Sequence, residues 1–309
     1  MNALINGTVP DVFNGVENAS TFHHRLHEEG LFSDESLARI ISTYPKKELY
    51  VATMETQQSS NCLWQTGTIE GLTGDQALEA VKKGHLWFNL KKAHKFIPEL
   101  GKIIDDLFAE IGDETGRRLP IWHSGSLLIS SPTACVPFHA DCEPNLLFHI
   151  RGRKRIWIYP AMDPQFASLE DMEMICAGEI EEDLPYRPHF DEQAVVYELT
   201  PGLAASFPQT APHRIENIDG LNISLSTEFL TPAARRRIYV MRANRALRHA
   251  TGWGPMAFNA DGPVAAAKVA VISMARLIEK LAGRPAFKAK LEKSFRVDPS
   301  APKGFVKLA

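Results

Sequence analysis

His139-Ala140-Asp141 opens the stretch VPFHADCEPNLLFHIRGRKRIWIYP, which runs from Val136 to Pro160. On an extended chain, side chains two positions apart point to the same side. The His139 imidazole and the Asp141 carboxylate can therefore take two positions on one divalent metal. A second histidine would complete a two-histidine, one-carboxylate set, the arrangement of non-haem Fe(II) oxygenases. His213 can supply it, at the end of Phe207-Pro-Gln-Thr-Ala-Pro-His. Neutral imidazoles suit Fe(II), and the carboxylate adds the negative charge that holds the ion. Such a set leaves room on the metal for a chelating 2-oxo acid and for O₂. A lone His-X-Asp is a weak signal, and a lone histidine is usually a satisfied polar residue. Lys154 strengthens the combination: its ammonium can pair with a distal carboxylate as a compact point charge. Without the metal set nearby, a lysine in the run Arg151-Gly-Arg-Lys-Arg would simply be solvated.

Elements that could position these residues begin near Pro120. Apolar and β-branched runs alternate with turn residues: Ser126–Ser130, Pro137–His149, Arg155–Tyr159, Ala194–Leu199, Leu203–Phe207 and Leu221–Phe229. Arg151-Gly152-Arg153 is expected as a hairpin turn and Thr200-Pro201-Gly202 as another turn. Short strands at this spacing predict a sandwich or barrel. The acid- and proline-rich stretch Met162–Asp191 reads as a long insertion.

The first third is expected to be mainly helical. Residues up to about 30 form a leader with little regular structure. Ser33 caps a helix with Leu37, Ile40, Ile41 and Tyr44 on one face. Strands follow at Tyr50–Met54 and His85–Leu90. Between them Thr73-Gly-Asp-Gln76 fits a capping box, and Gly84 ends that helix. Leu100, Ile103, Ile104, Leu107 and Ile111 mark a third helix, stopped by Gly112. After Leu230, Thr231 and Pro232 start a helix to about His249. Another runs from Asp261 and Pro263 to Gly283, with Val264, Val271, Ala275 and Ile278 on its face.

The chain has 309 residues, 44% hydrophobic and 23% charged, with net charge −3. This is ordinary for a globular protein and argues against nucleic acid as the partner. No run suits a membrane span, and the N-terminus lacks a signal-peptide pattern, so a cytoplasmic location is expected. Cys62, Cys135, Cys142 and Cys176 contain no CxxC and are expected as free thiols. Cys142 adjoins Asp141 but should face away from the metal.

Residues from about 120 to 230 resemble the JmjC-type (cupin-like) Fe(II)/2-oxoglutarate oxygenases. Within them the pattern is most like that of the asparaginyl hydroxylase of hypoxia-inducible factor. The matching positions are His139, Asp141, Asn145, Lys154, Pro201-Gly202, Pro208 and His213. Ser126–Ser130 resembles the strand preceding the His-X-Asp strand. The resemblance implies that His139, Asp141 and His213 bind iron and do the catalysis. It implies that Lys154 binds the distal carboxylate of 2-oxoglutarate and that Asn145 lines the co-substrate site. There are departures. Val136 stands where that relative has a co-substrate-binding threonine, and Glu228 stands where it has an asparagine. Trp87 is a candidate aromatic neighbour for the lysine.

Other residues carry less. His149 shares parity with the barrel-facing positions and is expected as a core polar group. Six arginines between Arg235 and Arg248, with no acid among them, can serve an acidic substrate or nucleic acid, or form a solvated helix face. Glu179–Asp183 reads as a solvated acidic loop.

The expected fold is mainly β with flanking helices (α+β), a double-stranded β-helix of the jelly-roll or cupin type. Its parts are a helical support (1–118), the JmjC-like core (119–230) and a C-terminal helical region (231–309). The expected function is an Fe(II)- and 2-oxoglutarate-dependent dioxygenase, a hydroxylase of a protein side chain or small metabolite. A homodimer through the C-terminal helices is also expected. The alternatives are a 2-oxoglutarate-independent metal cupin enzyme and a non-catalytic JmjC-like interaction module.

Overall fold

The computed structural model describes residues 3–13, 19–53, 64–117, 120–180, 182–252, 259–281 and 292–308. The N-terminal part holds strands β1 (Ile5–Asn6), β2 (Ser20–His24), β3 (Leu49–Thr53), β4 (Gln65–Thr68) and β5 (Leu86–Leu90). Interleaved are helices α1 (Asp34–Thr43), α2 (Gly74–Lys83), α3 (Ala93–Phe96) and α4 (Pro98–Thr115). Next come β6 (Trp122–Ser130), β7 (Cys135–His139), β8 (Asn145–Ile158), α5 (Leu169–Ala177), β9 (Val195–Leu199), β10 (Leu203–Phe207) and β11 (His213–Leu230). Helices α6 (Pro232–Thr251) and α7 (Gly262–Leu281) precede β12 (Lys293–Val297) and β13 (Phe305–Lys307).

Local signals act as expected at several ends. The Ser33 hydroxyl accepts from Ser36 N at the start of α1, and Thr73 and Gln76 form the capping box of α2. Helix α4 runs past Gly112, which is buried inside it, and ends at Gly116 in the left-handed conformation. A left-handed φ at Gly116 costs no Cβ clash, whereas a buried Gly112 relieves crowding without breaking the helix. The expected structureless leader is corrected too: β2 pairs β10 and extends the sheet.

Two long strands organise the molecule. β8 and β11 pair antiparallel along their length, from His213 opposite Ile158 to Glu228 opposite Asn145. The first half of β8 also pairs β10, and its second half pairs β9. The second half of β11 pairs β6, and its start pairs β7. Two four-strand ladders result, β6-β11-β8-β10 and β7-β11-β8-β9, each taking half of both long strands. The expected hairpin at Arg151-Gly152-Arg153 is thus a bend inside a continuous strand. Gly152 (φ +78°) and Gly220 (φ +66°) face each other there, and a Cβ on Gly220 would meet the Gly152 Cα at 3.4 Å. Register shifts in β11 between Asn217 and Ser224 absorb the bend.

Alternation along β8 sorts three cores. Leu146, Phe148 and Ile150 join the cluster under α1, α2 and α4. Leu147, Ile156 and Ile158 meet Leu199, Ala205, Phe207 and Ile215 between the ladders. Trp157 and Tyr159 pack under the insertion and α6, with Phe190, Met172 and Met241. The insertion is ordered by α5 and by a 3₁₀ turn at Pro188–Gln193. Cys142 and Cys176 form a disulfide joining the loop after β7 to α5, which corrects the expectation of free thiols. Cys135 is buried outside that pair, and Cys62 lies outside the described residues.

No helix among the described residues is long and apolar enough to cross a membrane. The C-terminal stretch is not wholly helical: β12 pairs β4 in parallel, and β13 pairs β12. Gly283 lies outside the described residues.

Candidate metal centre

β7 ends at His139, and Asp141 follows in the loop. His213 begins β11, directly opposite His139 in register. The ligand-capable atoms of His139, Asp141 and His213 all lie within 4.8 Å of one another. The rings of the two histidines sit 4.1 Å apart between centroids, and His213 Nε2 is 3.9 Å from Asp141 Oδ2. In each histidine Nδ1 faces the carbonyl two residues back: Pro137 O at 2.7 Å for His139 and Ala211 O at 3.1 Å for His213. An Nδ1–H donated to those carbonyls leaves both Nε2 lone pairs free for a metal. Burial, and then the neighbouring His139, push the His213 imidazole down to about 4, so it is neutral at pH 7. Two imidazoles, one of them buried, with one carboxylate fit a divalent transition ion such as Fe(II).

The carboxylate is braced. Asn145 donates its amide Nδ2 to Asp141 Oδ2 at 3.0 Å. The Ser226 hydroxyl donates to Asn145 Oδ1 at 3.0 Å, which fixes the amide orientation. Asn145 therefore meets the candidate ligand Asp141. Ser226, on the far strand, carries no sequence signal. Glu228 stands opposite Asn145 on β11. Burial and the Asp141 charge push its carboxyl up to about 8, so it is largely protonated at neutral pH.

Lys154 lies in the second half of β8 with the parity of Ile156 and Ile158, which face the space between the ladders. It is 4% exposed. Burial pushes its ammonium down to about 7, and among the described residues no acid opposes the shift. A buried cation without a counter-charge is costly, so the site is primed for an anion. Asn217 stands opposite Lys154 and donates to Ser130 Oγ at 2.8 Å. Val136 lies opposite Ile215, among the apolar neighbours of the inter-ladder core. Trp87 packs on Tyr50 and Trp64. His149 is a core polar group, held by Ser224 Oγ at 3.0 Å and Gly152 O at 2.9 Å.

The insertion reaches the centre directly. Ala140 N donates to Glu182 O at 3.1 Å, and Asp183 bridges to His139. The Trp64 indole donates to Asp183 Oδ1 at 2.7 Å. Of that acidic stretch, Glu179, Glu182 and Asp183 are exposed, as expected of a solvated loop, while the isolated bridge from Asp183 seats it beside His139. Half of the arginine run is structural. Arg242 donates to Cys176 O, Arg245 pairs with Glu170 and Glu179, and Arg248 pairs with Glu173. These contacts hold α5 on α6.

No known family model matches the chain, and no curated protein matches it. Solved structures do. A structure of E. coli ycfD is similar over 91% of this chain and 70% of its own, at 18% identity and a TM-score of 0.53. The chain thus shares that protein's fold, a large mixed sheet with flanking helices. A structure of YcfD described as an E. coli ribosomal oxygenase in complex with cobalt and 2-oxoglutarate covers 94% of this chain and 74% of its own, at 15% identity and a TM-score of 0.49.

Proposed function

We propose that the chain is an Fe(II)- and 2-oxoglutarate-dependent oxygenase of the JmjC (cupin-like) type, a hydroxylase of a protein side chain or a small metabolite. One observation carries this reading. Two Nε2 atoms and a carboxylate converge at the end of a strand pair. Lys154, on β8 beside β11, is buried with no acid opposing it among the described residues. The two ladders sharing β8 and β11 support a double-stranded β-helix. His139, Asp141 and His213 would hold the iron, and Lys154 the distal carboxylate of 2-oxoglutarate. Asn145 is assigned to orienting Asp141. The metal and co-substrate would supply O₂ activation, with 2-oxoglutarate becoming succinate and CO₂ and one oxygen atom passing to a C–H bond. The chain's own part is to hold those groups in one geometry and to keep the inter-ladder space apolar.

The test is an anaerobic titration with Co(II), then 2-oxoglutarate, followed by a screen for substrate-stimulated succinate release. Co(II) binding with release of succinate supports the reading. Metal binding without 2-oxoglutarate binding would point to a cupin enzyme of other chemistry, and absence of metal binding to an interaction module.

The partner reading is a homodimer through α7. Val264, Val271, Met274, Leu277 and Ile278 are each more than half exposed on this helix. Ala275 lies on the same face as Val271 and Ile278 and is half-buried. An exposed apolar stripe of this length suits burial against a second copy.

A further inference from the structure

The N-terminal arginines of α6 have no structural task of the kind that holds α5. Among the described residues, Arg235 and Arg236 have no ion-pair partner. They line two adjoining cavities of about 490 and 390 Å³ that share Arg235 and Tyr239. The larger lies between α6 and α7. The smaller lies between these helices and the first residues of β6, and Trp122, Glu143 and Arg276 also line it. Together they form one groove with an excess of guanidinium groups, an apolar wall and few acids.

The groove backs onto the metal loop. Glu143 lines it two residues after Asp141. Arg237, in the larger cavity, donates to Gln209 Oε1 at 2.6 Å, and Gln209 Nε2 donates to Cys142 O at 3.0 Å. Residues 141–143 are thus a thin partition, with a candidate ligand at one end and the groove at the other.

We propose that this groove docks an acidic peptide segment that also carries apolar side chains. Charge complementarity favours it: the Arg235 and Arg236 guanidinium groups, without ion-pair partners among the described residues, make a local cationic site on a protein of net charge −3 and not a general basic surface. Trp122, 43% exposed, offers the aromatic anchor common at peptide interfaces. A nucleic acid fits less well, because phosphate binding asks for a broad cationic array, and here the arginines cluster in one groove. Resting on the oxygenase reading, the segment would belong to the substrate protein and lead it to the metal centre. The docking itself does not depend on that reading.

The experiment is fluorescence anisotropy of a fluorescein-labelled peptide of alternating glutamate and leucine against the full chain. A glutamine-for-glutamate peptide and a single-stranded oligouridine run alongside. The acidic peptide should bind, the glutamine peptide should not, and the doubly substituted R235E/R236E chain should bind at least about tenfold more weakly. R235Q/R236Q should fall between, and Co(II) titration should be unchanged in both variants, which shows that the fold is intact. Equal binding of the glutamine peptide, tighter binding of oligouridine, or unchanged affinity in R235E/R236E overturns the proposal. Metal and succinate measurements test the oxygenase reading separately, so failure of one is not failure of the other.

Discussion

Each histidine of the triad turns Nδ1 to the backbone and keeps Nε2 for the centre. The third candidate ligand is the charged one, so Asp141→Ala should weaken Co(II) binding most, by calorimetric titration; unchanged affinity would remove the assignment. Ser226→Ala leaves every ligand in place but frees the Asn145 amide to turn. Loss of such outer support costs about 10–100-fold in metal affinity. The Co(II) absorption spectrum should shift as well, which a loss of packing alone would not do. Lys154→Ala removes a charge-assisted bond contributing about 1.5–3 kcal/mol, so 2-oxoglutarate should bind about one to two orders of magnitude more weakly, with metal affinity retained. The sign of the pH effect follows from the free lysine lying near 7. Above that value binding must take up a proton to form the ammonium, so 2-oxoglutarate affinity should fall as pH rises from 7 to 9; a flat profile by anaerobic titration would contradict the lysine's role. The His139-X-Asp141 spacing is local and legible in the sequence, whereas His213 and Lys154 rest on residue type and on a resemblance, not on proximity in the chain. The Asn145–Ser226 brace joins residues 81 apart, and no spacing announces it.

At the scale of elements, the expected strand pieces are present but their joins differ. Gly152 among arginines has the composition of a turn, and only the opposing Gly220 decides for a bend within a strand. That partner is fixed by long-range pairing, beyond the reach of a local pattern. The arginine run shows the same limit, since its task depends on acids some seventy residues earlier. Its two ion-pairing arginines, Arg245 and Arg248, should respond differently to substitution. Glu173 is 3% exposed in its side chain, so Arg248→Ala strands a buried carboxylate and should cost about 3 kcal/mol in urea denaturation. The partners of Arg245 are 53% and 36% exposed, and Arg245→Ala should cost below about 1 kcal/mol. Equal losses would mean that burial does not set the strength of this clamp.

At the scale of the molecule, α7 predicts the assembly. Light scattering at micromolar concentration should give a dimer, and the doubly substituted V271D/I278D chain should give a monomer; a monomeric parent chain would end that reading. The mainly β core with flanking helices was legible from strand spacing. The strands β12 and β13 were not, because they follow two helices and β12, on which β13 pairs, joins residues more than two hundred positions earlier. Gly67 on β4 has no room for a side chain, since a Cβ there would fall 2.2 Å from the Phe295 ring of β12. This contact has a consequence for synthesis. A nascent chain emerges N-terminus first, so β4 waits with an unpaired edge until residues 293–297 have left the ribosome. Waiting edges invite pairing with other chains. The N-terminal support is thus the first part made and among the last to close.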